Sequence, residues 1–220
     1  MLEKNIVLFD MDNTLVSEDT GDLWGQFLDE KGLVNESEKK TREKLNGDYK
    51  NGQLDPIENF HFEISLLKKI PNQLKAQFQQ EFFEYIVKPH ISKTGLSLIE
   101  EYKDNADTIV ILITATLSYI ASPVAEYSKV HDLIATEAES KGGDFTGKIF
   151  GTACLQEGKV IRFKSWMENN HITPLHTILY TDSINDLPLL NYVKEPIVVD
   201  PDKYLSQIAK EKSWKMMSLK

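Results

Sequence analysis

Two aspartates, Asp10 and Asp12, follow the apolar run Ile6-Val7-Leu8-Phe9 and stand two positions apart. Four apolar residues in a row predict a short, fully buried strand of an α/β sheet. The period of two along a strand sends both carboxylates out on the same side. Anions held that close raise each other's proton affinity unless a cation sits between them. Mg²⁺ suits such a place, because this hard ion takes one or two carboxylates along with phosphate oxygens. Three more polar groups follow, each beside a predicted buried element: Thr114, Lys159, and the run Asp182-Ser183-Ile184-Asn185-Asp186. A lysine at a helix N-terminus opposes the helix dipole, so Lys159, in Glu157-Gly158-Lys159-Val160, implies an anion nearby. Lys164 is the alternative cation.

These groups need a frame. Apolar runs at 108–114, 132–136, 177–181 and 197–199 predict strands, and helical spacing appears around 92–103, 118–128, 157–169 and 202–211. Trp214-Lys215-Met216-Met217 closes the chain. Strands alternating with helices predict a parallel sheet covered on both faces, a Rossmann-like α/β core. Glycines at 142, 143, 147 and 151 predict a β-hairpin excursion over 142–153. Between the first strand and Pro89 the pattern is helical only. Leu23, Trp24, Phe27 and Leu28 form one apolar face, ended by Gly32, and residues 36–50 are polar with Leu45 and Tyr49 as anchors. Asp55-Pro56 reads as an N-cap with proline at the first helical position, opening a helix that carries Ile57, Phe60, Ile64 and Leu67. A last helix runs from about 72 to 87. The expected organisation is therefore a core of residues 1–16 and 89–220 with a small helical cap, residues 17–88, inserted into it. Ligands of such sheets bind beyond the carboxyl ends of the strands, where Asp10, Asp12, Thr114 and Asp182 fall.

Composition narrows the function. A formal net charge of -9 over 220 residues, with no basic run, argues against nucleic acid and against an anionic membrane as partner. The single cysteine, Cys154, reads as a small buried hydrophobe. The apolar run at the start is too short for a signal peptide or a membrane span, so a cytoplasmic enzyme, monomer or homodimer, is expected.

The four polar groups, in this order along the whole chain, resemble the signature motifs of the haloacid dehalogenase superfamily, and the helical insert resembles its phosphoserine phosphatase-like branch. The resemblance implies a Mg²⁺-dependent phosphatase for a small phosphorylated metabolite. Asp10 would be the nucleophile that forms an aspartyl-phosphate, and Asp12 the general acid and then base. Mg²⁺ would be held by the side chains of Asp10 and Asp182 and the backbone carbonyl of Asp12. Lys159 would neutralise the nucleophile and the transferring group. Thr114, the Ala115 N–H and Asn185 would contact the phosphoryl oxygens. Thr14 would support the loop, and Asp186 would orient metal-bound water or Lys159. Ala115-Thr116 stands where relatives carry glycines, which alters the shape of the pocket. A phosphotransferase or mutase using the same intermediate is a rival reading, and a non-catalytic binding module a weaker one.

Substrate choice is expected in the insert. Asp19 matches the acidic residue that receives an ammonium in phosphoserine phosphatases. Aligning Gly52-Gln53-Leu54 and Ser65-Leu66-Leu67-Lys68 with that branch puts His61 where an arginine grips the substrate carboxylate. An imidazole cannot replace a bidentate guanidinium. Poor activity on phosphoserine is therefore expected, with a preference for an amine-bearing ester such as histidinol phosphate.

Overall fold

The computed structural model describes residues 2–50 and 55–220, with residues 49 and 50 described by backbone alone. The anchor role of Tyr49 and the alignment through Gly52-Gln53-Leu54 lie outside what it describes. A seven-stranded sheet runs through the molecule. Its strands are β1 (Leu2–Phe9), β2 (Thr108–Leu117), β3 (Asp132–Lys141), β4 (Asp144–Phe150), β5 (Ile172–Thr181), β6 (Glu195–Val199) and β7 (Lys215–Met217), in the order β4-β3-β2-β1-β5-β6-β7. Every neighbouring pair is parallel except β3 with β4. The chain builds β1, β2 and β3 in one direction, then returns to place β5 on the other side of β1. That reversal opens a crevice at the carboxyl end of β1.

Alternate residues of each strand serve opposite faces. Ile6, Leu8, Ile111, Ile113, Leu179 and Val198 pack with Phe163 and Met167 of α7 (Glu157–Asn169), Leu189 and Leu190 of α8 (Leu187–Tyr192), and Leu205 and Ala209 of α9 (Lys203–Glu211). Val7, Phe9, Val110, Leu112, Tyr180 and Ile197 serve the other face. There they join Ile99 of α5 (Lys93–Lys103), Ile120 and Val124 of α6 (Ser118–Ser128), and the helices that follow β1. These are α1 (Thr20–Glu30), α2 (Glu36–Lys50), α3 (Pro56–Leu67) and α4 (Asn72–Phe82). Asp19 caps α1 by accepting from the Asp22 N–H, and Asp55 caps α3, as its sequence predicts, by accepting from the N–H groups of Ile57 and Glu58. Trp24, Phe27, Phe78 and Phe82 cluster, largely edge to face, between α1 and α4. Among the described residues no helix is long and apolar enough to cross a membrane.

Three elements differ from the sequence expectation. The helix predicted over 72–87 stops at Phe82 and continues as a wider turn, Phe83–Val87, which buries both Phe83 and Val87 before Pro89 removes a backbone donor. The 142–153 excursion is not separate from the third strand: β3 itself extends to Lys141 and turns through Gly142 and Gly143, both at positive φ, into β4. β2 continues past Thr114 to Leu117, so Thr114 lies within a strand and not at its end.

The hairpin β3–β4 reaches α3 and α4. Lys68 Nζ donates to the Thr146 carbonyl at 3.1 Å, Lys75 Nζ to the Gly143 carbonyl at 3.1 Å, and Asn72 to the Asp144 carboxylate at 2.7 Å. Lys75 also lies over the Phe145 ring.

Candidate active site

β1 sits between β2 and β5, with Phe9 level with Leu112 on one side and Tyr180 on the other. The Phe9 and Tyr180 rings stack 4.5 Å apart, and the Asp10 N–H donates to the Tyr180 carbonyl at 2.9 Å. Register therefore fixes where Asp10 leaves the sheet, and it fixes Asp182, two residues past Tyr180, beside it. After Asp10 the chain folds back on itself, with the Leu15 and Val16 N–H groups both donating to the Met11 carbonyl and Asn13 adopting a left-handed conformation that asparagine tolerates.

Lys159 arrives from α7. It is 2% exposed, and its Nζ donates at 2.7 Å to Asp10 Oδ1 and at 2.7 Å to Asp186 Oδ2. The approach to α7 is tight. A Cβ on Gly158 would lie 2.0 Å from the Ala153 carbonyl oxygen, so only glycine lets the first turn pack here. Just before it Gln156 is held at φ 51°, ψ -124°, a strained backbone for a residue with a side chain. Lys164 lies over the Tyr192 ring and forms no ion pair with these carboxylates.

Hydroxyl groups hold the remaining carboxylates. Thr14 Oγ1 donates to Asp182 Oδ1 at 2.9 Å, accepts from the Asp182 N–H at 3.0 Å, and lies 3.4 Å from Asp10 Oδ2. Thr181 Oγ1 donates to Asp186 Oδ2 at 2.7 Å, while Asp186 Oδ1 is buried without a partner among the described residues. Asp12 Oδ1 accepts from both the N–H and the hydroxyl of Thr20, at 2.8 and 2.6 Å, and Asp12 Oδ2 from Thr116 Oγ1 at 2.5 Å. The start of α1 thus fixes Asp12, as orphan donors of a helix N-terminus do for an anion. Thr114 Oγ1 is 3.5 Å from the same carboxylate and accepts from the Thr116 N–H at 3.1 Å. It does not cap α6, whose N-cap is Leu117.

The charges do not balance. Burial pushes Asp10 well up from its ordinary value, and the neighbouring Asp186 and Asp182 charges add to this against the opposing pull of Lys159. Burial likewise raises Asp182 to about 6, with Thr14 opposing. Burial alone would lower Lys159, but Asp10 and Asp186 more than reverse it and keep the ammonium charged. Asp10, Asp182 and Asp186 face one lysine, an excess of negative charge in a buried place. Such a donor set, hard oxygens with net negative charge, fits a divalent cation. Cys154 is buried, and that burial pushes its thiol up to about 12, against the opposing pull of Lys159.

A cavity of about 800 Å³ opens above these groups. Asp10, Asp12, Asp19, Thr114, Ala115, Lys159, Asp182, Asn185 and Asp186 all line it, whereas Thr14 lies beneath its floor. His61 does not join them. It is exposed on α3, whose positions 56, 59, 60, 62, 63 and 66 turn to the cavity while residue 61 stays out of that stripe. The cavity-facing residues of α3 are instead Pro56, Asn59, Phe60, Phe62, Glu63 and Leu66. Arg42, on α2, also lines the cavity, with Nη1 buried and without a partner among the described residues and Nη2 3.9 Å from Asp29. Thr20, Thr116, Thr181, Glu63 and Arg42 are the site residues that motif spacing misses. Thr20 alone carries a sequence signal, as the residue after an N-cap aspartate.

Known proteins place the chain. It is 37% identical to a histidinol-phosphatase of Neisseria meningitidis serogroup C (strain 8013), covering 99% of this chain and 100% of that one. It is 25% identical to a phosphoserine phosphatase of Lactococcus lactis subsp. lactis (strain IL1403), over 87% of this chain and 81% of the relative. A crystal structure of a Bordetella pertussis Tohama I protein of unknown function superposes with a TM-score of 0.93 at 29% identity, covering all of both chains. The profile of the haloacid dehalogenase-like hydrolases matches residues 7–191, from the strand that leads into Asp10 to the helix after Asp186, and the chain belongs to that family.

Proposed function

We propose that this hydrolase is a Mg²⁺-dependent phosphomonoesterase that works through an aspartyl-phosphate on Asp10 and prefers a small amine-bearing ester, histidinol phosphate foremost. The observation that carries the reading is Lys159 bridging Asp10 and Asp186 at the floor of the cavity, with Asp12 fixed at its side. A carboxylate oxygen of Asp10 attacks phosphorus, and the bond from phosphorus to the substrate oxygen breaks. Asp12 gives the departing alkoxide its proton. In the second half Asp12 takes a proton from the water that attacks phosphorus, the bond to Asp10 breaks, and inorganic phosphate leaves. Lys159 offsets negative charge throughout, while Thr114, the Ala115 N–H and Asn185 hold the phosphoryl oxygens. The side chains of Asp10 and Asp182 and the carbonyl of Asp12 would hold Mg²⁺, which supplies Lewis-acid stabilisation of phosphoryl charge. Helices α1–α4 form the lid, a cap of residues 17–88 on a core of 1–16 and 89–220, and exclude bulk water.

The substrate reading is supported by the full-length likeness to the Neisseria histidinol-phosphatase and by Asp19 in the cavity wall. Phosphoserine is the second reading, favoured by Arg42, whose unpartnered Nη1 could meet a carboxylate. The test is phosphate release from a panel of small esters, with Mg²⁺ or with EDTA, for wild type and Asp10→Asn. Mg²⁺-dependent release that Asp10→Asn abolishes, fastest with histidinol phosphate, is the expected result. Faster phosphoserine turnover would transfer the assignment to the second reading. Consumption of ester without free phosphate when an alcohol is added would instead mark a phosphotransferase.

A further inference from the structure

Glu63 takes no part in the proposed chemistry, yet it is set into the wall of the same cavity. Asn59 Nδ2 donates to its Oε1 at 2.8 Å, and Oε2 has no donor among the described residues. Asp19 converges on it from the start of α1. A Cβ placed on Gly21 would lie 3.3 Å from Asp19 Oδ1 and 3.3 Å from Glu63 Oε1, so the two oxygens are within twice that distance of each other. A side chain at position 21 would crowd that spot.

A pair of carboxylates can be a solvated accident, but this wall has a second unfinished feature. Trp24 is 2% exposed and lines the same cavity, and its indole N–H has no partner among the described residues. A buried N–H without an acceptor is costly unless something completes it. Arg42, which also lines the cavity, has Nη2 3.9 Å from Asp29 and makes no ion pair with Glu63 or Asp19. Among the described residues no cation pairs with either carboxyl of the wall.

Building on the functional reading above, we propose that Glu63 is the specificity-determining residue of this enzyme, receiving together with Asp19 the ammonium of a small cationic phosphomonoester. The chemistry separates this ligand from a zwitterion. Two carboxylates in the wall favour an amine whose substrate carries no carboxylate of its own, since a substrate carboxylate brought to them would be repelled. Burial, with the Asp19 and Asp12 charges adding, raises the Glu63 carboxyl to about 8. In the free enzyme at neutral pH Glu63 then keeps its proton and spares the arriving phosphate a further repulsion, and an ammonium beside it restores the carboxylate.

Glu63→Gln keeps the shape and removes the charge. Steady-state kinetics with Mg²⁺ would compare histidinol phosphate with 2-phenylethyl phosphate, which has no amine. The expected result is a KM for histidinol phosphate raised about tenfold or more with kcat little changed, and a KM for the neutral ester within about twofold of wild type. Glu63→Asp should restore part of the lost affinity. Equal changes for both esters, or no change for the amine, would overturn the proposal. Calorimetric binding of the same esters to Asp10→Asn, with and without Glu63→Gln, reads recognition without turnover. Amine-selective binding that Glu63→Gln removes would uphold the role of Glu63 even where the hydrolytic reading fails, and its absence would refute it.

Discussion

Replacing Lys159 by methionine keeps a linear apolar stem and deletes the one cation of the floor. Two buried ion pairs of 2.7 Å vanish together, to groups that are themselves nearly solvent-free. Asp186 keeps the Thr181 hydroxyl, but Asp10 keeps only the long 3.4 Å contact with Thr14. Removing one partner of a buried pair costs roughly 3–5 kcal/mol, because a charge is left uncompensated. In a protein of this length each kcal/mol moves the melting temperature by about 2–4 °C, so a fall of roughly 6–20 °C is expected at pH 8 in EDTA. The sign with pH follows from Asp10, whose folded proton affinity is already above its ordinary value and rises further in the variant. A carboxyl raised in this way gives its stability below the unfolded value and loses it as pH climbs through the folded one. The deficit of the variant should therefore be smallest near pH 5 and widest at pH 8. Thermal unfolding followed by circular dichroism across that range measures it. A variant that melts within about 2 °C of wild type at pH 8 would refute the claim that Lys159 holds these carboxylates together.

Other expectations follow from single features. Gly158→Ala drives a Cβ into the Ala153 carbonyl, so it should cost about 1–3 kcal/mol and displace Lys159, with activity falling further than stability when both are measured. Thr116→Val removes the 2.5 Å donor to Asp12 at nearly constant shape, and kcat should drop about tenfold in a phosphate-release assay while the fold loses roughly 1.5–3 kcal/mol in urea titration. Asp182, raised from 3.8 to about 6, should make the metal-free protein lose stability as pH rises through that window, and a melting gap between Mg²⁺ and EDTA should widen over the same range.

Much of the floor is legible in the amino-acid sequence. Asp10, Asp12, Lys159 and Asp182 follow buried runs or open helices, and strand register does the rest, so local pattern and sheet topology speak for the same residues. Helix phase separates Lys159 from Lys164, and spacing alone leaves that choice open until the direction of α7 is known. The wall is less legible. His61 and Glu63 are two positions apart on one helix, and two positions rotate a side chain to the other face. An alignment that slips by so little exchanges a residue in the cavity for one in solvent. The threonines that hold the carboxylates are hard to read for another reason: Thr20, Thr116 and Thr181 meet their partners only through tertiary packing, and a hydroxyl carries no periodic signature.

The strap between the hairpin and Lys68 and Lys75 has an uneven tolerance for change. Lys68 and Lys75 supply side chains, but on the hairpin they meet the carbonyls of Thr146 and Gly143, which every residue type provides. At Thr146 the hairpin can therefore drift in sequence without unfastening, whereas Asp144 and Phe145 contribute side chains and Gly142, Gly143 and Gly147 sit at positive φ, which excludes most side chains. The helical side has no such freedom at these two lysines. If α1–α4 act as the proposed lid, variation that retunes which ester is accepted must spare Lys68 and Lys75 as well as Thr20, which holds Asp12.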